Sequence, residues 1–174
     1  HFLWNDGNPV VAIADDGTGM TDEELKEAMR PGSQSPRENR PDTDLGRFGL
    51  GLKTASFSQC RCLSVVSMDE RRVRYGYRWD LDHVAETNTW SVHRLSNDSI
   101  RALPFAELLD RQSSGTLVVW ERIDRLMDFT SARAEDLFND YFEEAREHLE
   151  LVFHRFIEPM ADERRKPRIN IEMN

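Results

Sequence analysis

The 174-residue chain has two cysteines, no apolar run near the length of a membrane span, and no excess of basic charge. Each shortage removes a class of protein. Cys60 and Cys62 are separated by one residue, so a disulfide between them would close a strained, tiny ring. Reduced thiols are the expectation, as in a cytoplasmic protein. A zinc site would need two more ligands, and the nearest histidines, His83 and His93, lack zinc spacing, so no metal ligand is assigned. Without a membrane-length segment or a signal-peptide pattern, the reading is a soluble protein with no membrane partner. The 23 Lys and Arg against 32 Asp and Glu leave a net charge of −9. An acidic field repels phosphate backbones, which excludes a free-standing nucleic-acid binder. Contact with DNA would need a local patch or other domains. Internal repeats and low-complexity tracts are also absent.

The 39% hydrophobic content suffices for one compact domain with a core. Phe2–Trp4 and Val10–Ala14 read as strands around the turn Asn5–Pro9. Thr21 and Glu24 form a capping-box pair opening a helix with Leu25, Ala28 and Met29 on one face, and Pro31-Gly32 stops it. Residues 31–45 are rich in Pro, Ser, Asn, Asp and Arg, and cannot bury themselves. A helical pattern returns from Gly49 to Gln59. Leu63–Met68, Val73–Leu81 and Thr87–Leu95 suggest an antiparallel meander. Pro104–Leu109 reads as a short helix, and Gly115–Trp120 as a central strand. A long helix over 132–157 places Leu137, Tyr141, Ala145, Leu149, Val152 and Phe156 on its inner face, and Pro159 ends it. The order predicts an α+β domain: a two-layer α/β sandwich with a mixed, mostly antiparallel sheet and helices on one face.

Two glycine signatures carry the chemistry. The first, Asp15-Asp16-Gly17-Thr18-Gly19-Met20, follows an apolar strand. It fails as a calcium loop, because the first ligand position is Ala and the terminal Glu is missing. A plain strand-turn-helix connection would need only one Asp-Gly. A nucleotide explains more of the string. Asp15 would accept from the adenine amino group, Gly17 and Gly19 would bring bare backbone to the base, and Met20 would form an apolar wall.

The second signature, Gly46-Arg47-Phe48-Gly49-Leu50-Gly51-Leu52-Lys53, precedes a helix. Its glycine order is the reverse of the dinucleotide fingerprint, and it lacks the Gly-Lys-Ser/Thr ending of a Walker loop. It still offers free N–H groups at a helix start, with Lys53 as a point charge for a phosphate. Taken alone, Lys53 could equally be a solvated lysine. Thr116, entering the Gly115 strand, signifies little by itself, but opposite Asp15 its hydroxyl could share the base through a water.

In this order the motifs resemble the GHKL, or Bergerat-fold, ATPases, which include gyrase, large heat-shock chaperones, histidine kinases, MutL and MORC proteins. The string Gly46–Ser56 is similar to a bacterial branch near MORC and MutL. The resemblance covers residues 1–160, with 161–174 beginning a following segment. It implies that Asp15 and Thr116 hold adenine and that Gly17, Gly19 and Met20 line the base pocket. Gly46, Phe48, Gly49, Leu50, Gly51 and Lys53 would serve the phosphates, with residues 31–48 as the ATP lid. Arg47 would reach the nucleotide from inside the motif, whereas Arg37 and Arg40 read as solvated loop charge.

The family also carries a helix before the first signature, with a Glu as general base and, four residues on, an Asn that ligates magnesium. The residues before Asp15 cannot supply it, so the chain reads as a piece of a longer protein, with no catalytic residue of its own. Glu135 and Asn139 share that spacing only by coincidence. The resemblance implies ATP as ligand, with magnesium-dependent hydrolysis and a dimeric clamp in the parent protein, whose client is open. The alternatives are a nucleotide-gated binding module without turnover and a histidine kinase catalytic domain.

Overall fold

The computed structural model describes residues 1–30, 51–126, 129, 131–157 and 169–174. Strands β1 (Phe2–Leu3), β2 (Val10–Asp15), β3 (Cys60–Met68), β4 (Arg74–Asp80), β5 (His93–Arg94) and β6 (Gly115–Ile123) form one sheet in the order β1-β2-β6-β3-β4-β5. Every pairing among the described residues is antiparallel. The expected α+β architecture is present, with the Gly115 strand in the middle.

Side chains alternate across a strand, and β3 uses both faces. Leu63 and Val65 join Leu25, Met29, Trp79 and Phe138 in one core. Val66 and Met68 join Leu117, Val119, Ile100 and Leu109 in the other. That is why β3 reads as a nearly continuous apolar run rather than an alternation. The larger layer comprises α1 (Asp22–Met29), α2 (Gly51–Phe57) and α5 (Ala134–Ile157). The other face is closed by the short α4 (Asn97–Arg101) and a 3-10 segment, Ala106–Arg111.

Helix α1 begins as its sequence dictates. Thr21 accepts from the Glu24 backbone N–H, while the Glu24 carboxylate accepts from the Thr21 N–H at 2.8 Å. Its far end has no glycine cap. Instead, the carbonyls of Ala28 and Arg30 accept from Lys53 Nζ, at 2.5 and 2.9 Å, and that of Met29 accepts from Trp79 Nε1 at 2.9 Å. These donors satisfy carbonyls that a helix end would otherwise leave bare.

Two segments differ from expectation. The strand expected over Val73–Leu81 stops at Asp80, whose carboxylate caps α3 (Leu81–Thr87) by accepting from the N–H groups of Asp82 and His83. Of the strand expected over Thr87–Leu95, only His93–Arg94 pairs. The inner face of α5 keeps Leu137, Ala145, Leu149 and Phe156 half-buried, as expected, but departs at two positions. Tyr141 and Val152 are exposed, while Phe138 is buried and packs with Phe142 around Phe2. Pro159 and residues 161–168 lie outside the described residues. Residues 169–174 carry no strand, although the Phe2 N–H reaches the Asn174 carbonyl at 3.2 Å.

At the end of β6 farthest from Gly115, Arg122 bridges Asp80 and Asp82, and Arg61 bridges Asp82 and Asp124. Beside this network Cys60 and Cys62 are buried thiols outside any disulfide, and Cys62 Sγ donates to the Glu121 carboxylate at 3.9 Å. Burial pushes the Cys60 thiol up to about 12 and raises Cys62 in the same direction.

Thr21→Ala should lower the unfolding free energy by ~1 kcal/mol, measured by urea denaturation. The cysteines supply a pH test. The folded chain keeps a Cys60 proton that the unfolded chain releases near its ordinary value of 9.0, so this contribution is complete below that pH and is lost as pH rises towards about 12. Iodoacetamide at pH 8 should therefore modify neither thiol until urea unfolds the chain, as read by mass spectrometry. Rapid native labelling would contradict the burial.

Candidate functional site

Asp15 ends β2 and lies opposite Thr116 on β6, and Thr116 lies opposite Ser67 on β3. Directly opposed residues of antiparallel strands point to the same face, so three polar side chains stand in a row across three strands. Thr116 and Ser67 are buried and Asp15 is exposed.

The hydrogen bonds fix the character of this row. Ser67 Oγ accepts from the Met20 N–H at 2.8 Å and donates to the Gly115 carbonyl at 3.2 Å. It also lies 3.0 Å from Thr116 Oγ1. Either hydroxyl can donate in that contact; with the single Ser67 proton on the Gly115 carbonyl, Thr116 donates to Ser67. In that arrangement Thr116 is left with acceptor capacity alone. Asp15 Oδ1 accepts from the Gly17 N–H at 2.9 Å, and the carboxylate retains open lone pairs on its exposed side. The corner therefore presents acceptors to its surroundings and suits a ligand edge that bears N–H donors.

The first glycine string packs against this row. Ser114 Oγ donates to the Gly17 carbonyl at 2.8 Å, tying the loop to the start of β6. Gly19 has φ +68°, and a Cβ there would collide with the Met68 carbonyl. Gly115 has φ +148°, and a Cβ would run into the Asp15 carbonyl and lie 2.6 Å from Gln112 Oε1. Both glycines admit backbone where a side chain has no room. Met20 is half-buried, with its side chain against the core that contains Leu25 and Met29.

Thus Asp15, Gly17, Gly19, Met20 and Thr116 converge on one corner. Ser67 belongs with them, although the sequence reading missed it. A serine inside an apolar strand gives no signal until register places it beside Thr116. Gly46, Arg47, Phe48, Gly49, Leu50 and the lid span 31–48 lie outside the described residues. Gly51 opens α2. Lys53, on its first turn, is 4% exposed and points at the end of α1 rather than into solvent. Burial lowers its pKa, with the nearby Glu27 charge opposing that shift. Glu135 and Asn139 are exposed on α5. Among the described residues no three His, Cys, Asp or Glu side chains cluster as a metal site, and no helix is long and apolar enough to cross a membrane.

Residues 4–116 match the family of Histidine kinase-, DNA gyrase B-, and HSP90-like ATPases. The chain belongs to this family. The match covers most of the chain and extends to Thr116, so it contains the Asp15 corner. No curated protein matches the chain. Membership makes it an ATP-binding domain of the GHKL type and agrees with the antiparallel sheet and its helical layer.

Gly19→Ala should cost roughly 2 kcal/mol or more, through left-handed strain plus the collision with Met68. That corresponds to a fall in Tm of roughly 4–8 °C. Gly7 is the control: its φ is +83°, but nothing lies within 4 Å of an added Cβ. Gly7→Ala should therefore cost only the strain, about half as much. Equal losses would mean that the close approach at Gly19 is unimportant.

Proposed function

We propose that this domain reads adenine with the Asp15 corner, holds the phosphates with the second glycine signature, and closes residues 31–48 over the bound ATP. One observation carries the base-reading half. Asp15, Thr116 and Ser67 form a single row whose free valences are acceptors, matching an exocyclic amino group. The carboxylate would accept a hydrogen bond from the amino N–H directly. Thr116 would act on the ring through a bridging water, and Gly17 and Gly19 would keep side chains off the base. Gly46, Arg47, Phe48, Gly49, Leu50, Gly51 and Lys53 are the proposed phosphate residues.

In the parent protein, which we place in the bacterial cytoplasm near the MORC and MutL branch, lid closure would drive a dimeric clamp. Magnesium would neutralise phosphate charge there, held by the Asn of a Glu-x-x-x-Asn helix whose Glu activates water. A second reading is that ATP gates partner binding without turnover. Phosphate release by the parent protein separates the two: tight ATP binding with no release would select the gated module.

Asp15→Asn tests the pocket. It keeps the size of the side chain and removes the charge that accepts from the amino N–H. ATP affinity should fall roughly tenfold or more, since hydrogen bonds to charged groups contribute about 1.5–3 kcal/mol. Calorimetric titration with ATP, beside an unchanged circular-dichroism spectrum, reads the effect. Unaltered affinity would refute the assignment of Asp15.

A further inference from the structure

A second cleft, of about 490 Å³, opens beside the turn between β3 and β4. That volume falls in the range of small-ligand sites. Asp69 organises the turn by accepting from the N–H groups of Arg71 and Val73, both at 3.0 Å, and Arg72 takes a left-handed conformation at φ +63°. Arg72 and Arg74 line the cleft from the turn and from β4, and Arg101 lines it from the last turn of α4. Met68 and Ile100 supply an apolar wall.

The charges in this lining do not cancel. Arg74 meets the Asp110 carboxylate at 2.5 Å. Among the described residues Arg72 donates to backbone carbonyls alone, those of Gln112 at 2.8 Å and Asp110 at 3.3 Å, and its charge has no anionic partner. Arg101 has no hydrogen bond or ion pair among the described residues. Three arginines and one aspartate thus line the cleft, on a chain whose net charge is −9. Guanidinium groups recognise carboxylate and phosphate oxygens through paired N–H donors.

We propose that this cleft is a binding site for a small polyanion, a di- or tricarboxylate or a phosphate ester, with its acidic oxygens on Arg72 and Arg101 and its carbon skeleton against Met68 and Ile100. A nucleic-acid backbone fits less well, because the rest of the acidic surface repels an extended polyanion. The site is separate from the Asp15 corner and does not depend on the ATP reading.

The test is an NMR titration of the 15N-labelled 174-residue chain with citrate and, separately, with inorganic phosphate. Both backbone and arginine Nε–Hε signals are followed. Saturable shifts at Arg72 and Arg101 are expected with at least one anion, and the anion that acts identifies carboxylate or phosphate chemistry. Arg101→Ala should weaken binding about tenfold, the scale of one charge-assisted hydrogen bond. Asp110→Asn should tighten it, because it removes the competing carboxylate from Arg74, whereas a purely structural role for the cluster predicts no gain. Neither anion saturating, binding indifferent to Arg101→Ala, or saturation only with a single-stranded oligonucleotide would each overturn the proposal.

Discussion

Hydrogen-bond ladders on both edges of β6 join it to β2 and to β3, and the rest of the domain is arranged around that double pairing. The register leaves no freedom at the site end. With Thr116 opposite both Asp15 and Ser67, side chains from three distant stretches of sequence become neighbours. A one-residue slip of β6 would reverse the face of every side chain on it and dissolve the row. At the other end of β6, Arg122 joins Asp80 and Asp82, fastening the strand to the β4–α3 corner. One strand therefore fixes both the binding corner and the charged anchor opposite it.

Helix α1 then links the two glycine signatures. It starts at Thr21, immediately after Met20, whose N–H is held by Ser67. It finishes on carbonyls gripped by Lys53 of α2 and by Trp79 of β4. The helix is consequently pinned at one end to the base corner and at the other to the helix that follows the second signature. Its eight residues are too few to persist alone in water, so its stability comes from these anchors and from burying Leu25 and Met29.

The parts legible in the sequence are those governed by short-range rules. The Thr21–Glu24 capping box and the first glycine string depend on residues within a few positions of one another. The central strand announced itself by its apolar run. What was hidden depends on partners far along the chain. Ser67 acquires its role only from register with Thr116. Helix α3 was obscured because the strand pattern of β4 runs straight into it, and the Asp80 cap reads equally well as the last polar position of a strand. On α5 the inner face is legible at Leu137, Ala145, Leu149 and Phe156 but not at Tyr141 and Val152, because apolar residues occur on more than one side. Contact with Phe2 selects Phe138 and Phe142 over Tyr141.

Lys53 joins the local and the distant readings. Its sequence context assigns it to phosphate, yet its ammonium lies on the carbonyls of Ala28 and Arg30. Both assignments are physically consistent if the ammonium exchanges partners. Leaving the carbonyls strands two acceptors, at about 1–3 kcal/mol each where they stay dry. An ammonium–phosphate charge pair near 4 Å returns about 4 kcal/mol at an effective dielectric constant of 20, and a triphosphate carries several such charges. The opposing terms are of the same size. Under the proposed function, capture of phosphate by Lys53 would uncap α1 next to residues 31–48, and water entering at its last turn would help the exchange. Burial lowers the pKa of this lysine, and the nearby Glu27 charge opposes that shift. A cation in that position gains from an anion that arrives within its reach.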